Sequence, residues 1–284
     1  MQRITAIFDG LRFSESTLHY AVLLAKQQQA HLTGVFPEDP TYNSFSLYHL
    51  FKSGAGKVTI KILEDIDREA RGASAARFEA ACQKSGISYN IRQDKNISIL
   101  SVLEESIYAD LMILDVQETF VRSETPPPTR FVKDVLTDVQ CPVLLVPHDP
   151  IFPPVHTEIE NVVLLYDGEP SSVYAIKMYN YLLSSFKDLP TVVLSVNENG
   201  TGTHLENRKQ VKDFVKRHFP QATYKVMEGN AEESITAYLK RQPSGTLAVL
   251  GAYRRGNVSR WFRESMADVL MDNVVIPLFV AHNK

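Results

Sequence analysis

Apolar residues along the chain fall into short runs: ITAIF (4 to 8), interrupted only by Thr5, and the unbroken LMIL (111 to 114), VLLV (143 to 146), VVLL (162 to 165), LAVL (247 to 250) and LFVA (278 to 281). Runs of this length without alternation are what parallel strands covered on both faces require. Between them lie longer stretches with apolar residues at helical spacing. The first half predicts strands near 3 to 8, 31 to 36, 88 to 92, 111 to 115 and 142 to 147, with helices near 14 to 29, 57 to 85, 98 to 108 and 129 to 139. The second half predicts strands near 161 to 166, 190 to 196, 222 to 227, 246 to 250 and 276 to 281, with helices near 171 to 186, 205 to 218, 231 to 241 and 264 to 272. Strand and helix alternate with short connections, which predicts doubly wound α/β architecture with right-handed crossovers.

The halves repeat one another. RITAIFDG (3 to 10) matches NVVLLYDG (161 to 168), and each is followed by a serine, Ser14 or Ser172, expected to open a helix. ADLMILD (109 to 115) answers GTLAVLG (245 to 251), and DVLTDVQCPVLLVPH (134 to 148) answers DVLMDNVVIPLFVAH (268 to 282). Four prolines in PHDPIFPPVH (147 to 156) make a stiff extended connection. The expected organisation is therefore two tandem Rossmann-like domains, each with a five-stranded parallel sheet: residues 1 to 148 and 159 to 284, joined by a linker over 149 to 158. One segment, 41 to 57, has no equal in the second half; Tyr42, Phe45, Tyr48 and Phe51 recur every third residue, so on one helical face they would form an aromatic stripe. Such a stripe is expected to pack onto its own domain or against the other half, with a ligand lid as the alternative; exposed, it would mark a partner surface.

Two copies of strand, Asp-Gly, Ser and helix, each closed by a proline-led apolar strand, resemble a tandem universal stress protein over nearly the whole chain. That resemblance implies a five-stranded parallel sheet per domain, a closing strand that pairs across a dimer or between tandem domains, and in some members ATP binding through a glycine-rich loop. The ATP-binding pattern is Gly, two residues, Gly, nine residues, then Gly-Ser or Gly-Thr. Laid on it, Gly251 matches the first glycine, Arg254 stands for the second, Glu264 for the third, and Ser265 matches the hydroxyl residue. In the first half Asp115 replaces the opening glycine and Phe131 the serine, with a proline triplet between them. The resemblance thus implies a site in the second half alone, with Asp167 contacting the adenosine part and the end of strand two, Val196, facing the base through its backbone.

Loops of this kind need glycine because backbone N–H groups must approach phosphate oxygens without a Cβ in the way. Gly251 keeps the turn, Gly256 offers a second flexible point, and Arg254 trades backbone freedom for a guanidinium able to clamp a phosphate. Glu264 is an anion tethered where a helix N-terminus attracts anions. It either caps that helix itself or pairs with Arg254, Arg255, Arg260 or Arg263 and leaves the amides free. Ser265 reads equally as a phosphate contact or an ordinary N-cap. Asp167 and Asp9 sit at the carboxyl ends of first strands, where open α/β sheets bind ligands. A turn or capping role competes at both, and is preferred at Asp9.

Net charge is −3, so no bulk attraction to nucleic acid or anionic membrane is expected. The arginines around Trp261 admit stacking on a single strand, but with no recognition-helix pattern Trp261 and Phe262 are expected to bury at the base of the loop. Neither nucleic acid nor membrane is an expected partner. The two cysteines, Cys82 and Cys141, have no metal or redox spacing and read as buried hydrophobes of a reducing cytoplasm. No HExxH, GxSxG or Walker A sequence occurs. His148 and His282 occupy matching places after the closing strands, which duplication alone explains. The sequence is thus read as a non-enzymatic cytoplasmic stress-response regulator. Its expected ligand is ATP or another adenine nucleotide, with no metal beyond the magnesium that accompanies it. The expected partners are a second copy through the closing strands and a regulatory protein. The alternative is a nucleotide-free dimeric scaffold.

Overall fold

The computed structural model describes residues 1–54, 56–122, 125–148, 158–197, 209–251 and 265–281. In the first half β1 (Arg3–Ile7), α1 (Glu15–Gln28), β2 (His31–Pro37), α2 (Leu47–Lys52), α3 (Lys57–Ser85), β3 (Tyr89–Asp94), α4 (Ser98–Tyr108), β4 (Leu111–Asp115), α5 (Arg130–Asp138) and β5 (Val143–Val146) follow in order. The second half runs β6 (Asn161–Leu165), α6 (Pro170–Leu182), a 3-10 turn (Ser184–Phe186), β7 (Thr191–Asn197), α7 (Lys209–His218), β8 (Thr223–Glu228), α8 (Ala231–Leu239), β9 (Thr246–Gly251), α9 (Met266–Asn273) and β10 (Leu278–Ala281). Every expected strand and helix is present, displaced by a few residues at the ends.

Each half is a five-stranded parallel sheet, in the orders β3-β2-β1-β4-β5 and β10-β9-β6-β7-β8. The two are not separate sheets. β5 and β10 pair antiparallel, Leu145 opposite Leu278 and Val143 opposite Val280, so ten strands form one sheet. The edge pairing expected of the closing strands is thus made inside the chain. β5 lies between β4 and β10, and β10 between β5 and β9, which leaves neither closing strand an edge for a second copy.

Side chains from successive strand residues go to opposite faces. Leu111 and Ile113 of β4 join the core under α1, α3, α6 and α7, whereas Met112 and Leu114 join the core under α4, α5, α8 and α9. Both faces being covered explains the unbroken apolar runs of the inner strands β4, β5, β6 and β10, whereas the edge strands β3 (YNIRQD) and β8 (TYKVME) are polar and largely exposed. Across the seam between the halves, Gln28 of α1 bonds to Ser185 and Gln2 donates to the Tyr181 carbonyl (3.3 Å), while on the other face Lys133 of α5 meets Asp268 of α9 (3.7 Å). No helix among the described residues is long and apolar enough to cross a membrane.

The aromatic stripe does not form as expected. α2 covers only Leu47–Lys52 and buries nothing, while Tyr42 lies outside it and is buried. Asp39, at the end of β2, turns this segment inward: its carboxylate accepts from Thr41 N (2.9 Å) and from Ser98 N (3.0 Å), the first amide of α4. Burial opposes the Asp39 charge, but the bonds from Thr41 and Ser98 outweigh it and hold the carboxyl below its usual range.

Candidate functional site

Four chain ends meet where the strand order reverses in each half. In the second half these are the ends of β6 and β9 and the starts of α6 and α9. They border a small cleft lined by Leu165, Asp167, Ser171, Ser172, Ile235, Leu250, Gly251 and Met266. Gly251 is required there. A Cβ on it would lie 2.7 Å from the Ser171 carbonyl carbon and 3.0 Å from Ser172 N, closer than packed atoms tolerate. β9 therefore delivers its last residue directly against the first turn of α6.

Asp167 lies on the cleft wall, and its Oδ1 accepts from Glu169 N (2.9 Å), an Asx-type turn that starts α6. The turn role and the wall position thus coexist. Ser172 does not open the helix as expected; Glu169 is the N-cap, Pro170 follows it, and the Ser172 hydroxyl donates to the Glu169 carbonyl (2.8 Å). Ser265 is the N-cap of α9 with extended backbone, yet its side chain makes no capping hydrogen bond. Val196 is fully buried in the core facing α8 and α9 and does not line the cleft. Arg254, Gly256, Glu264, the other arginines of that loop, Trp261, Phe262 and His282 lie outside the described residues.

The corresponding corner of the first half is filled. Asp9 accepts from Leu11 N (2.8 Å), Arg12 Nε (3.3 Å) and the Tyr42 hydroxyl (2.6 Å). Arg12 reaches on to the Thr119 hydroxyl and to the Val121 carbonyl (2.7 Å). Asp115, in the place of Gly251, accepts from Ser14 Oγ (2.7 Å) and Gln117 N (2.8 Å), and meets His148 Nδ1 at 3.0 Å. Its side chain therefore occupies the gap that the glycine leaves narrow in the other half. Thr129 caps α5 by accepting from Val132 N (3.2 Å) and ties the loop by donating to the Glu118 carbonyl (2.5 Å). The ring of Tyr42 packs edge-on to Phe120, which packs on Phe131. Phe120 has a φ of 51°, a left-handed conformation costly for a bulky residue and kept here by the packing around it.

Electrostatics follow from this crowding. Burial, and then the charges of Asp9 and Asp115, push the Glu118 carboxyl well above its ordinary range. Burial and the Asp9 charge likewise raise the Tyr42 phenol, which stays a donor. Burial disfavours the Arg12 cation, but Tyr42 and Asp9 outweigh it and hold the proton more firmly. Sequence reasoning found Asp9 and Asp115 and missed Arg12, Tyr42, Glu118 and Thr119. The available signal for Tyr42 was its position in the unrepeated segment, which its helical spacing with Tyr48 and Phe51 obscured.

No protein-family model and no curated protein matches the sequence. Solved structures do. A universal stress protein from Archaeoglobus fulgidus DSM 4304 aligns over 99% of this chain and 98% of its own, with a TM-score of 0.68 and 14% identity. A functionally unknown protein from Pseudomonas aeruginosa PAO1 aligns over 99% and 92%, with a TM-score of 0.59 and 14% identity. The cytoplasmic domain of a prokaryotic cation chloride cotransporter aligns over 98% and 94%, with a TM-score of 0.53 and 8% identity. The chain therefore has the fold of a tandem universal stress protein, its two halves joined through their closing strands, with one corner filled by its own side chains and a cleft at the other among the described residues.

Proposed function

We propose that the protein is a non-enzymatic cytoplasmic regulator of stress responses that binds an adenine nucleotide in its second half only. The observation that carries this reading is the cleft that the described residues Asp167, Ser171, Ser172, Gly251 and Met266 wall in the second half, with Gly251 standing where the first half has Asp115 bonded to Ser14. The chemistry of the lining suits the ligand. Gly251 brings backbone into close approach, and two helices, α6 and α9, begin at its rim, so their amides favour the phosphate end. Asp167 supplies an acceptor for ribose hydroxyls, and Leu165, Ile235, Leu250 and Met266 supply apolar wall.

In this reading the ligand shifts a population of the protein's conformations and is not transformed. Magnesium would enter with the nucleotide, carried by its phosphates. Calorimetry with ATP, ADP and cyclic AMP, beside native mass spectrometry of freshly purified protein, tests the reading. Binding that disappears in Asp167→Ala supports it. No co-purifying nucleotide and no heat with any of the three would leave the scaffold reading in its place, which the filled first corner favours.

A further inference from the structure

α3 is out of proportion to the sheet it covers. Its 29 residues extend about 43 Å, whereas a seven-residue strand such as β2 extends about 23 Å. The excess lies at the N-terminal end, because Asp67 is its first buried residue. An overhang in solvent would be expected to be polar all round. Instead Val58, Ile62 and Ile66 form an i, i+4, i+8 row that is 75%, 54% and 52% exposed, and Tyr48 and Phe51 of α2 just before it are exposed as well. Adjacent isolated apolar residues need no explanation, but an aligned row beside two exposed aromatics is an interaction surface.

The neighbouring row of the same helix reads Lys57, Lys61, Asp65, Glu69: two positive charges followed by two negative ones at the same spacing. Such a row complements itself when run backwards. We infer that the α3 overhang docks a second copy of this chain, the two helices meeting antiparallel about a two-fold axis beside Ile62. That axis sets Ile62 against its own copy and Val58 against Ile66. Since a two-fold axis brings like flanks together, it also sets Lys61 against Asp65 and Lys57 against Glu69, each pair occurring twice. Ridges made of i, i+4 rows pack against one another at an inclination of about 50°, which keeps the charge rows alongside the apolar contact. Asp65 already holds Arg68 on its own helix, so Lys61 of the second copy adds to an existing pair. A helix pair is small against the roughly 800 Å2 per partner of a standard interface, so the association is concentration-dependent. It is independent of the nucleotide reading and uses neither closing strand.

Sedimentation velocity of the full chain from about 1 to 500 µM tests the inference, with melting curves confirming that each variant folds. Wild type should pass from monomer to dimer. Ile62→Arg should weaken the dimer at least tenfold, roughly the loss of one central anchor. Lys61→Glu and Asp65→Lys should each weaken it, and the double variant, which restores opposite charges across the axis, should recover. Ile62→Cys should cross-link to its own copy on mild oxidation. A wild type that stays monomeric, a dimer indifferent to Ile62→Arg, or a dimer that neither recovers in the charge exchange nor cross-links would overturn it.

Discussion

The Tyr42 hydroxyl donates a 2.6 Å hydrogen bond to the Asp9 carboxylate, from a position 33 residues further along the chain. Asp9 in turn holds Arg12, and the Arg71 guanidinium holds the Tyr42 carbonyl at 2.6 Å, so the segment after β2 is fastened over the end of β1 from both sides. Asp167, the equivalent of Asp9, lines a cleft instead.

Tyr42→Phe removes one buried bond to a charged group while keeping the ring against Phe120. The expected loss is about 1.5–3 kcal/mol of unfolding free energy, read from urea titration. Tyr42→Ala also leaves a cavity and should cost more, about 3–5 kcal/mol. Neither should create ATP affinity in the first half, because Asp115 still occupies the position held by Gly251 in the other.

Glu118 makes stability depend on pH with a definite sign. Its folded carboxyl is raised, so the folded state binds its proton more tightly than the unfolded chain. That contribution is fully present below the ordinary carboxylate range and is lost as pH rises through the raised folded value. Asp9, Asp115 and Arg12 face it. Glu118→Gln, which stays neutral, should be more stable than wild type at neutral pH and should flatten this part of the pH profile of unfolding. An unchanged profile would show that Glu118 does not govern it.

Gly251→Ala drives a methyl group into the backbone of Ser171 and Ser172. β9 and α6 must separate, at an expected cost of about 1–3 kcal/mol. A lower melting temperature together with a lost response to ATP is the expected pair of results. If ATP still raises the melting temperature by the wild-type amount, Gly251 does not shape the proposed nucleotide site.

Cys82 and Cys141 are buried, and burial pushes both thiols up to about 12. Neither should react with an exposed-thiol reagent at neutral pH in the native state, and both should react in denaturant. Fast labelling of either in native protein would show local opening at α3 or before β5.

The strand runs, the helix from 57 to 85 and the repeat of two halves were legible in the sequence because they are local. A strand buried on both faces needs an unbroken apolar run, and a helix needs a 3.6-residue period, whatever surrounds them. The position of Asp9, Asp167 and Gly251 at strand ends follows from the same reading. The corners themselves were not legible. Whether an aspartate lines a cleft or anchors a plug depends on side chains that arrive from far away, as Tyr42 reaches Asp9 and Ser14 reaches Asp115 across 101 residues. The helical spacing of Tyr42 with Tyr48 and Phe51 pointed to one face, but the hydrogen bonds of Asp39 and Arg71 draw Tyr42 inward and leave the other two outside. Nor does an apolar run say which edge it will pair. β5 and β10 carry the same pattern as their neighbours, and only the folded arrangement of both halves brings them antiparallel, turning two expected five-stranded sheets into one of ten strands.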